Sequence, residues 1–210
     1  MTGLFVVFEG ADGTGKSTQV SGVSTRLRAA GRDVVVTREP GGSVVAEKLR
    51  SLVLDPAHEI TPITEALIFA AARADHIDKT IAPALAVGQI VISDRFVGSS
   101  IAYQSAGRGL NQETIVRINA YATNGLTPDV TVVLDLDESV AGRRRVERAE
   151  LTDRMESAPE GFQDAVRASF LAQVQAAPER HLVVDAAQTP EAITDQIVTH
   201  LSTKYGVSVS

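Results

Sequence analysis

The sequence predicts an α/β fold, a three-layer, doubly wound sheet of five parallel strands, and three observations carry that expectation. Apolar runs of strand length recur at residues 4–8, 34–37, 89–93, 130–136 and 181–184. These runs are continuous rather than alternating, the pattern of strands covered on both faces. Longer helix-periodic stretches separate them, giving the β-α-β-α order whose crossovers impose parallel pairing. A chain of 210 residues with no internal repeat and no linker-like segment is expected to form one domain, residues 1–210, around a single core.

Each element has a local reason. Residues 16–30 form a helix stopped by Gly31, and residues 44–54 a second helix that ends near Pro56. Thr61 has the chemistry of an N-cap and Pro62 that of a first helical residue, opening a long Ala-rich helix that Pro83 should end or kink. Asn111 and Gly125 bracket another helix, and a last one spans about 190–205. Residues 139–156 differ, holding Arg143, Arg144, Arg145, Arg148 and Arg154 among acids with few apolar positions. That composition suits a mobile lid embedded at about 142–158, although runs of charge also describe a solvated helix end.

Composition narrows the function classes. The chain has no cysteine, which excludes disulfides, thiolate metal sites and a Cys nucleophile and leaves the cytoplasm as the expected address. Residues 4–8 are too few to span a bilayer, so no membrane partner is expected. A formal charge of −6 from 20 Lys and Arg against 26 Asp and Glu argues against a binder of polymeric nucleic acid. Phosphate chemistry, if present, has to be local.

Such a local site follows the first strand. Gly10-Ala11-Asp12-Gly13-Thr14-Gly15-Lys16-Ser17 matches the G-x-x-x-x-G-K-[ST] phosphate loop in the required setting, after a buried strand and opening a helix. The glycines let backbone N–H groups turn inward, and the helix N-terminus adds about half a positive charge. Lys16 is placed to reach β- and γ-phosphate oxygens, and the Ser17 hydroxyl is a ligand for Mg²⁺. Asp12 is anomalous, because a carboxylate inside an anion cradle repels the ligand it serves. A hydroxyl donor on an acceptor molecule would give it a role; otherwise it is an acid pointing out of the loop.

A second cluster follows the third strand. Asp94 and Arg95 should emerge at the carboxyl edge of the sheet, where doubly wound folds bind ligands. Asp94 is suited to hold Mg²⁺ or its water and Arg95 to grip a phosphate with two parallel bonds, while Asp-Arg is also readable as a surface ion pair. Phe69 and Arg73, four residues apart, share a helix face and fit a nucleobase as well as they fit a core. Arg38 to Gly42 follow the second strand, and Arg50, one helix later, is either a ligand or a solvated charge.

Taken together, these motifs resemble bacterial thymidylate kinases over nearly the whole chain. The matching segments are the phosphate loop with its internal Asp12, Thr37-Arg38-Glu39-Pro40-Gly41-Gly42, the run ending in Arg50, Phe69 through Arg73, and Asp94-Arg95 followed by Ser99-Ser100 and Tyr103-Gln104. The resemblance implies a P-loop NTPase of the nucleoside monophosphate kinase type, a homodimer that moves the γ-phosphoryl group of ATP, with Mg²⁺, onto dTMP. It implies that ATP is held from Gly10 through Ser17 to Thr18, with Arg144 and Gln188 on the donor side and adenine between the lid base and the turn at Ala186-Ala187-Gln188. Asp12 would contact the sugar 3′-hydroxyl and Phe69 would stack on thymine. Arg73, Ser100 and Gln104 would surround the base, with Arg38, Pro40 and Ser99 completing the acceptor site. Arg50 and Arg95 would hold the acceptor phosphate, and Tyr103 would crowd the 2′ position.

Members of that family carry their catalytic arginine either in the phosphate loop or in the lid. This chain has Thr14 and no arginine between Gly10 and Lys16, so the likeness assigns the role to Arg148 and Arg144. Arg154-Met155-Glu156 resembles a family lid motif. Two departures stand out: Phe96 replaces a common Tyr or His, and Thr152 lengthens the lid by one residue. Rival expectations are a kinase of the same fold with another acceptor, and a nucleotide-dependent switch. The second lacks an Asn-Lys-x-Asp guanine signature here and has no use for Asp12.

Overall fold

The computed structural model describes residues 3–147 and 161–207. Five strands form one sheet in the order β2-β3-β1-β4-β5: β1 (Leu4–Glu9), β2 (Val34–Arg38), β3 (Ile90–Asp94), β4 (Val130–Asp135) and β5 (His181–Asp185). Every neighbouring pair is parallel. The chain moves outward from β1 to β2, returns to β3, and then crosses to β4 on the other side. The carboxyl end of β1 therefore lies at the switch point, where such sheets open a ligand crevice.

Alternation along the central strands sends successive side chains to opposite faces. Val6, Phe8, Ile90, Ile92, Val132 and Leu134 pack toward α1 (Lys16–Ala29) and α9 (Pro190–Tyr205). Phe5, Val7 and Val91 meet Ile77, Ile81, Ala84 and Phe96 on the reverse face. The expectation of burial on both faces holds for β1, β3 and β4. The edge strands depart from it, with Val36 on β2 and Val183 on β5 exposed, because an edge strand is only partly covered by the helix layers.

The remaining helices are α2 (Val44–Leu54), α3 (Pro62–His76), α4 (Ala82–Ala86), α5 (Val97–Ser100), α6 (Gln112–Thr123), α7 (Glu138–Glu147) and α8 (Phe162–Ala176). The Thr61 side chain accepts the Thr64 N–H as an N-cap, and Asn111 does the same for Thr114. The long helix does not end at Pro83, but its α-helical pattern is interrupted just before it. A π-helical turn spans Ile77–Ile81 and α-helix resumes over Ala82–Ala86, a local change of helix type beside a proline that brings no N–H to the ladder.

Two helical stretches were not anticipated. One is α5 with its π-helical continuation, Ile101–Gly107, and the other is α8. The first holds, after Val97, Gly98, Ser99 and Ser100, three weak helix formers, so propensity gave no signal. For α8 the signal existed: Phe162, Val166 and Phe170 recur every fourth residue and are buried together with Tyr103.

Candidate active site

The phosphate loop joins β1 to α1 and is shaped by backbone conformation. Gly10 has φ 141°, and a Cβ there would stand 2.6 Å from the Leu134 carbonyl oxygen on β4. Gly15 caps α1 in the left-handed region at φ 90° without a side-chain bond to the first turn. Lys16 folds across the loop, its Nζ donating to the carbonyls of Gly10 at 3.0 Å and Ala11 at 2.9 Å. Burial and the neighbouring Arg95 charge push its amine down to about 8. Ser17 Oγ donates to Asp94 Oδ2 at 3.0 Å, bringing together the two oxygen groups expected to meet Mg²⁺.

Asp12 does not point out of the loop. Its Oδ1 lies 2.5 Å from Arg95 Nη2, and its Oδ2 accepts the Tyr103 hydroxyl at 2.8 Å. Gln163 on α8 donates to the same carboxylate. Burial alone would raise its pKa, but Arg95 and Lys16 outweigh that, and the carboxyl is held at about 2. The anomalous acid is therefore neutralised by a cation from the turn after β3.

That turn is held in an uncommon shape. Arg95 has φ 76°, a left-handed conformation that costs a side-chain-bearing residue about 1 kcal/mol or more. The Arg95 N–H donates to Phe8 at 2.9 Å, and its carbonyl accepts the Ser93 hydroxyl at 2.8 Å. Its guanidinium donates to Ser99 Oγ at 3.0 Å and stacks over the Tyr103 ring at 4.9 Å. So the Asp94-Arg95 pair is part of the cleft and not a surface ion pair.

Farther along, Arg73 is buried and donates to Glu39 at 2.7 Å, to Ser100 Oγ at 3.0 Å, to the Phe96 carbonyl at 2.9 Å and to Asn119. Glu39, which precedes Pro40 through a cis peptide bond, also faces His76 Nδ1 at 3.2 Å. Arg50 Nη1 donates to the Pro40 carbonyl at 2.8 Å, and Gln104 Nε2 donates to Glu65 at 2.9 Å. Arg38 pairs with Glu47 at 3.1 Å near the surface. Phe69 packs half-buried beside Tyr103, Phe162 and Phe170. Phe96, in place of the polar residue common in the likeness, lies edge-on to Phe5 with ring centres 5.1 Å apart and sits 5.3 Å beneath the Arg73 guanidinium.

A cleft of about 910 Å³ is lined by Asp12 to Thr18, Arg38, Pro40, Arg50, Phe69, Arg73, Asp94, Arg95, Ser99, Ser100, Tyr103, Gln104, Arg144 and Gln188. Two of the expected loop residues, Gly10 and Ala11, line a small hollow behind the loop and offer the cleft's Lys16 their carbonyls. Arg144 Nη1 donates to the Ala186 carbonyl at 3.2 Å, tying α7 to the turn after β5. Arg148, Arg154, Met155 and Glu156 fall outside the described residues. The sequence did not single out Gln19, Leu54, Pro190 or Ile193 as cleft residues, nor Gln163 as a partner of Asp12.

An anion cradle on one side of a crevice, facing arginines and an aromatic slot on the other, is the arrangement of a phosphotransferase that holds two nucleotides end to end. The fold and this cleft together define a P-loop kinase of the nucleoside monophosphate class. Residues 8–197 match the family model described as thymidylate kinase. The chain is 49% identical over 197 residues to a thymidylate kinase of Bifidobacterium longum, covering 92% of this chain and 94% of the relative. It is 47% identical over 196 residues to one of Cereibacter sphaeroides, covering 91% and 90%, and 45% identical over 195 residues to one of Deinococcus radiodurans, covering 93% and 94%. The chain belongs to the thymidylate kinase family and is a phosphotransferase.

Proposed function

We propose a division of labour in this cleft for the reaction of the chain, transfer of the γ-phosphoryl group of ATP to dTMP to give ADP and dTDP. The observation that carries it is the Asp12 carboxylate inside the phosphate loop, neutralised by Arg95 at 2.5 Å and bonded by Tyr103 at 2.8 Å. An acid in an anion cradle serves an acceptor that brings a hydroxyl, and the deoxyribose 3′-hydroxyl of dTMP is that group. Phe69 stacks on thymine, with Arg73, Ser100 and Gln104 around its polar edge. Arg38, Pro40 and Ser99 close the acceptor side, and Tyr103 occupies the space that a 2′-hydroxyl would need.

The attacking group is a phosphate oxygen of dTMP, already anionic near neutral pH, so the chain needs no general base. Its contribution is alignment and charge. Lys16 and the loop N–H groups hold the β/γ end of ATP, Arg50 and Arg95 hold the acceptor phosphate, and the lid arginines Arg148 and Arg144 neutralise the transferring group. Adenine rests near Ala186 and Gln188. Ser17 and Asp94 offer two hard oxygen donors 3.0 Å apart, and among the described residues no cluster of three acidic or histidine side chains surrounds them. That set fits Mg²⁺, which keeps most of its waters and leans on substrate phosphates. When bound there it would supply charge on the β- and γ-oxygens.

We also propose that residues 1–210 act as one unit with residues 142–158 as its lid, and that two copies associate. Val45, Leu52, Ile63 and Leu67 on α2 and α3 are exposed and apolar, a surface suited to a self-complementary contact. No described helix is long and apolar enough to cross a membrane, and the absence of cysteine fits a cytoplasmic enzyme. Sedimentation at twice the 22.2 kDa chain mass is the expected result; a monomer at working concentration removes the dimer.

The deciding experiment is an ADP-release assay with Mg-ATP and dTMP, dUMP, UMP, CMP, AMP or no acceptor. Marked preference for dTMP is expected. Faster turnover on another monophosphate, or none above the acceptor-free rate, overturns the acceptor site.

A further inference from the structure

The last residue of β1, Glu9, is 1% exposed, does not itself line the cleft, and has no role in the scheme above. Its carboxylate nevertheless accepts three bonds, and every donor comes from the segment just after Arg95. Oε1 receives the Phe96 and Ser99 N–H groups, each at 2.9 Å, and Oε2 receives the Ser99 hydroxyl at 2.6 Å. From its other side, Ser99 Oγ accepts Nη1 of Arg95 at 3.0 Å. A guanidinium only donates and a carboxylate only accepts, so the single hydroxyl proton of Ser99 has one arrangement available. The direction Arg95 to Ser99 to Glu9 is thereby fixed.

We infer that Glu9 is a positioning residue for the phosphoryl-transfer reaction, holding the guanidinium of Arg95 in place through Ser99 and through the two N–H groups that follow it. The inference rests on the reading that Arg95 holds the acceptor phosphate. Arg95 has φ 76°, so its backbone stays there only if its surroundings over-determine it. Glu9 supplies the constraint on the carboxyl side, complementing Phe8 on the amino side. Gly98 allows the close approach, since a Cβ there would stand 3.0 Å from Glu9 Oε1. Glutamine is the informative replacement. Its oxygen keeps both N–H bonds, but its amide nitrogen donates to Ser99 Oγ and competes there with Arg95.

The test is steady-state kinetics on Glu9→Gln, Arg95→Lys and the double variant, with thermal unfolding run alongside. Glu9→Gln should lower kcat at least tenfold and raise KM for dTMP, leave KM for ATP within twofold, and leave the melting temperature within a few degrees. In the Arg95→Lys background the same change should alter kcat/KM by less than twofold, because the group it acts through is gone. Independent, multiplying losses overturn the inference, as do wild-type kinetics for Glu9→Gln or equal rises in both KM values. If Glu9→Gln does not fold, Ser99→Ala cuts the same link and must show the same pattern and the same non-additivity. Wild-type kinetics for Arg95→Lys overturn the reading of Arg95 and this inference together. An impaired Arg95→Lys beside an unimpaired Glu9→Gln overturns only the inference.

Discussion

Asp12 Oδ1 lies 2.5 Å from Nη2 of Arg95, joining the phosphate loop proposed to grip one nucleotide to the turn proposed to grip the other. Replacing Asp12 by alanine removes the carboxylate proposed to face the acceptor while leaving Lys16, Ser17 and the loop glycines in place. We expect kcat/KM for dTMP to fall about 100-fold, or ~2.7 kcal/mol, with KM for ATP within about threefold. Isothermal titration with each nucleotide separates the two, and equal loss of both affinities would place Asp12 in the donor site instead.

The same pair sets an acid limit. The Asp12 carboxyl sits at about 2 against an ordinary 3.8. Its contribution to stability is therefore fully present above 3.8 and is lost as pH falls from there toward 2. It amounts to about 2 kcal/mol. Urea unfolding of the wild type and Asp12→Asn should show a gap near neutral pH that closes between about pH 4 and pH 2. A gap that stays constant through that window contradicts the assignment.

Phe96 joins the core to the proposed acceptor pocket, because its ring meets Phe5 and lies 5.3 Å beneath the Arg73 guanidinium. Phe96→Ala should cost about 3–5 kcal/mol of unfolding free energy, measured by urea denaturation, and raise KM for dTMP by loosening Arg73. Phe96→Leu should cost less than half as much. A loss below about 1 kcal/mol would mean that neighbouring side chains close over the site.

No arginine stands between Gly10 and Lys16, which is why we propose that the lid supplies the charge for the transferring group. Arg148→Ala should lower kcat about a thousandfold with little change in either KM or in melting temperature. Arg144→Ala should also lower kcat and, because its guanidinium is bonded to the Ala186 carbonyl at 3.2 Å, raise KM for ATP as well. Single-turnover quench-flow measurements distinguish the two patterns, and an Arg148→Ala enzyme at near wild-type rate removes that residue from the chemistry.

The phosphate cradle was legible because consecutive residues build it: once a strand ends and a helix begins, covalent order places Gly10 to Ser17. Strand positions were legible for a similar reason, as in the run at 130–136 against the observed Val130–Asp135, since continuous apolar segments have few places to go but a sheet interior. Partnerships were not legible. Arg73 with Glu39, Asp12 with Gln163 and Ser99 with Glu9 join residues far apart in sequence, and no local pattern encodes such distances. The edge strands show the same limit, because Val36 looks like a core residue until the strand order makes β2 an edge.

The strand order also bears on how the chain acquires its function. β1 is hydrogen-bonded to β3 on one side and β4 on the other, so the loop that follows it is framed only when residue 130 and beyond have docked. Gly10 lies against Leu134 of β4. During synthesis, the motif made first waits for more than half of the polypeptide, and nucleotide cannot stabilise an early intermediate. Non-local pairing of this kind is slow relative to helix formation. In refolding, return of activity should lag the far-ultraviolet signal; simultaneous recovery would show that β1 finds its partners as fast as the helices form.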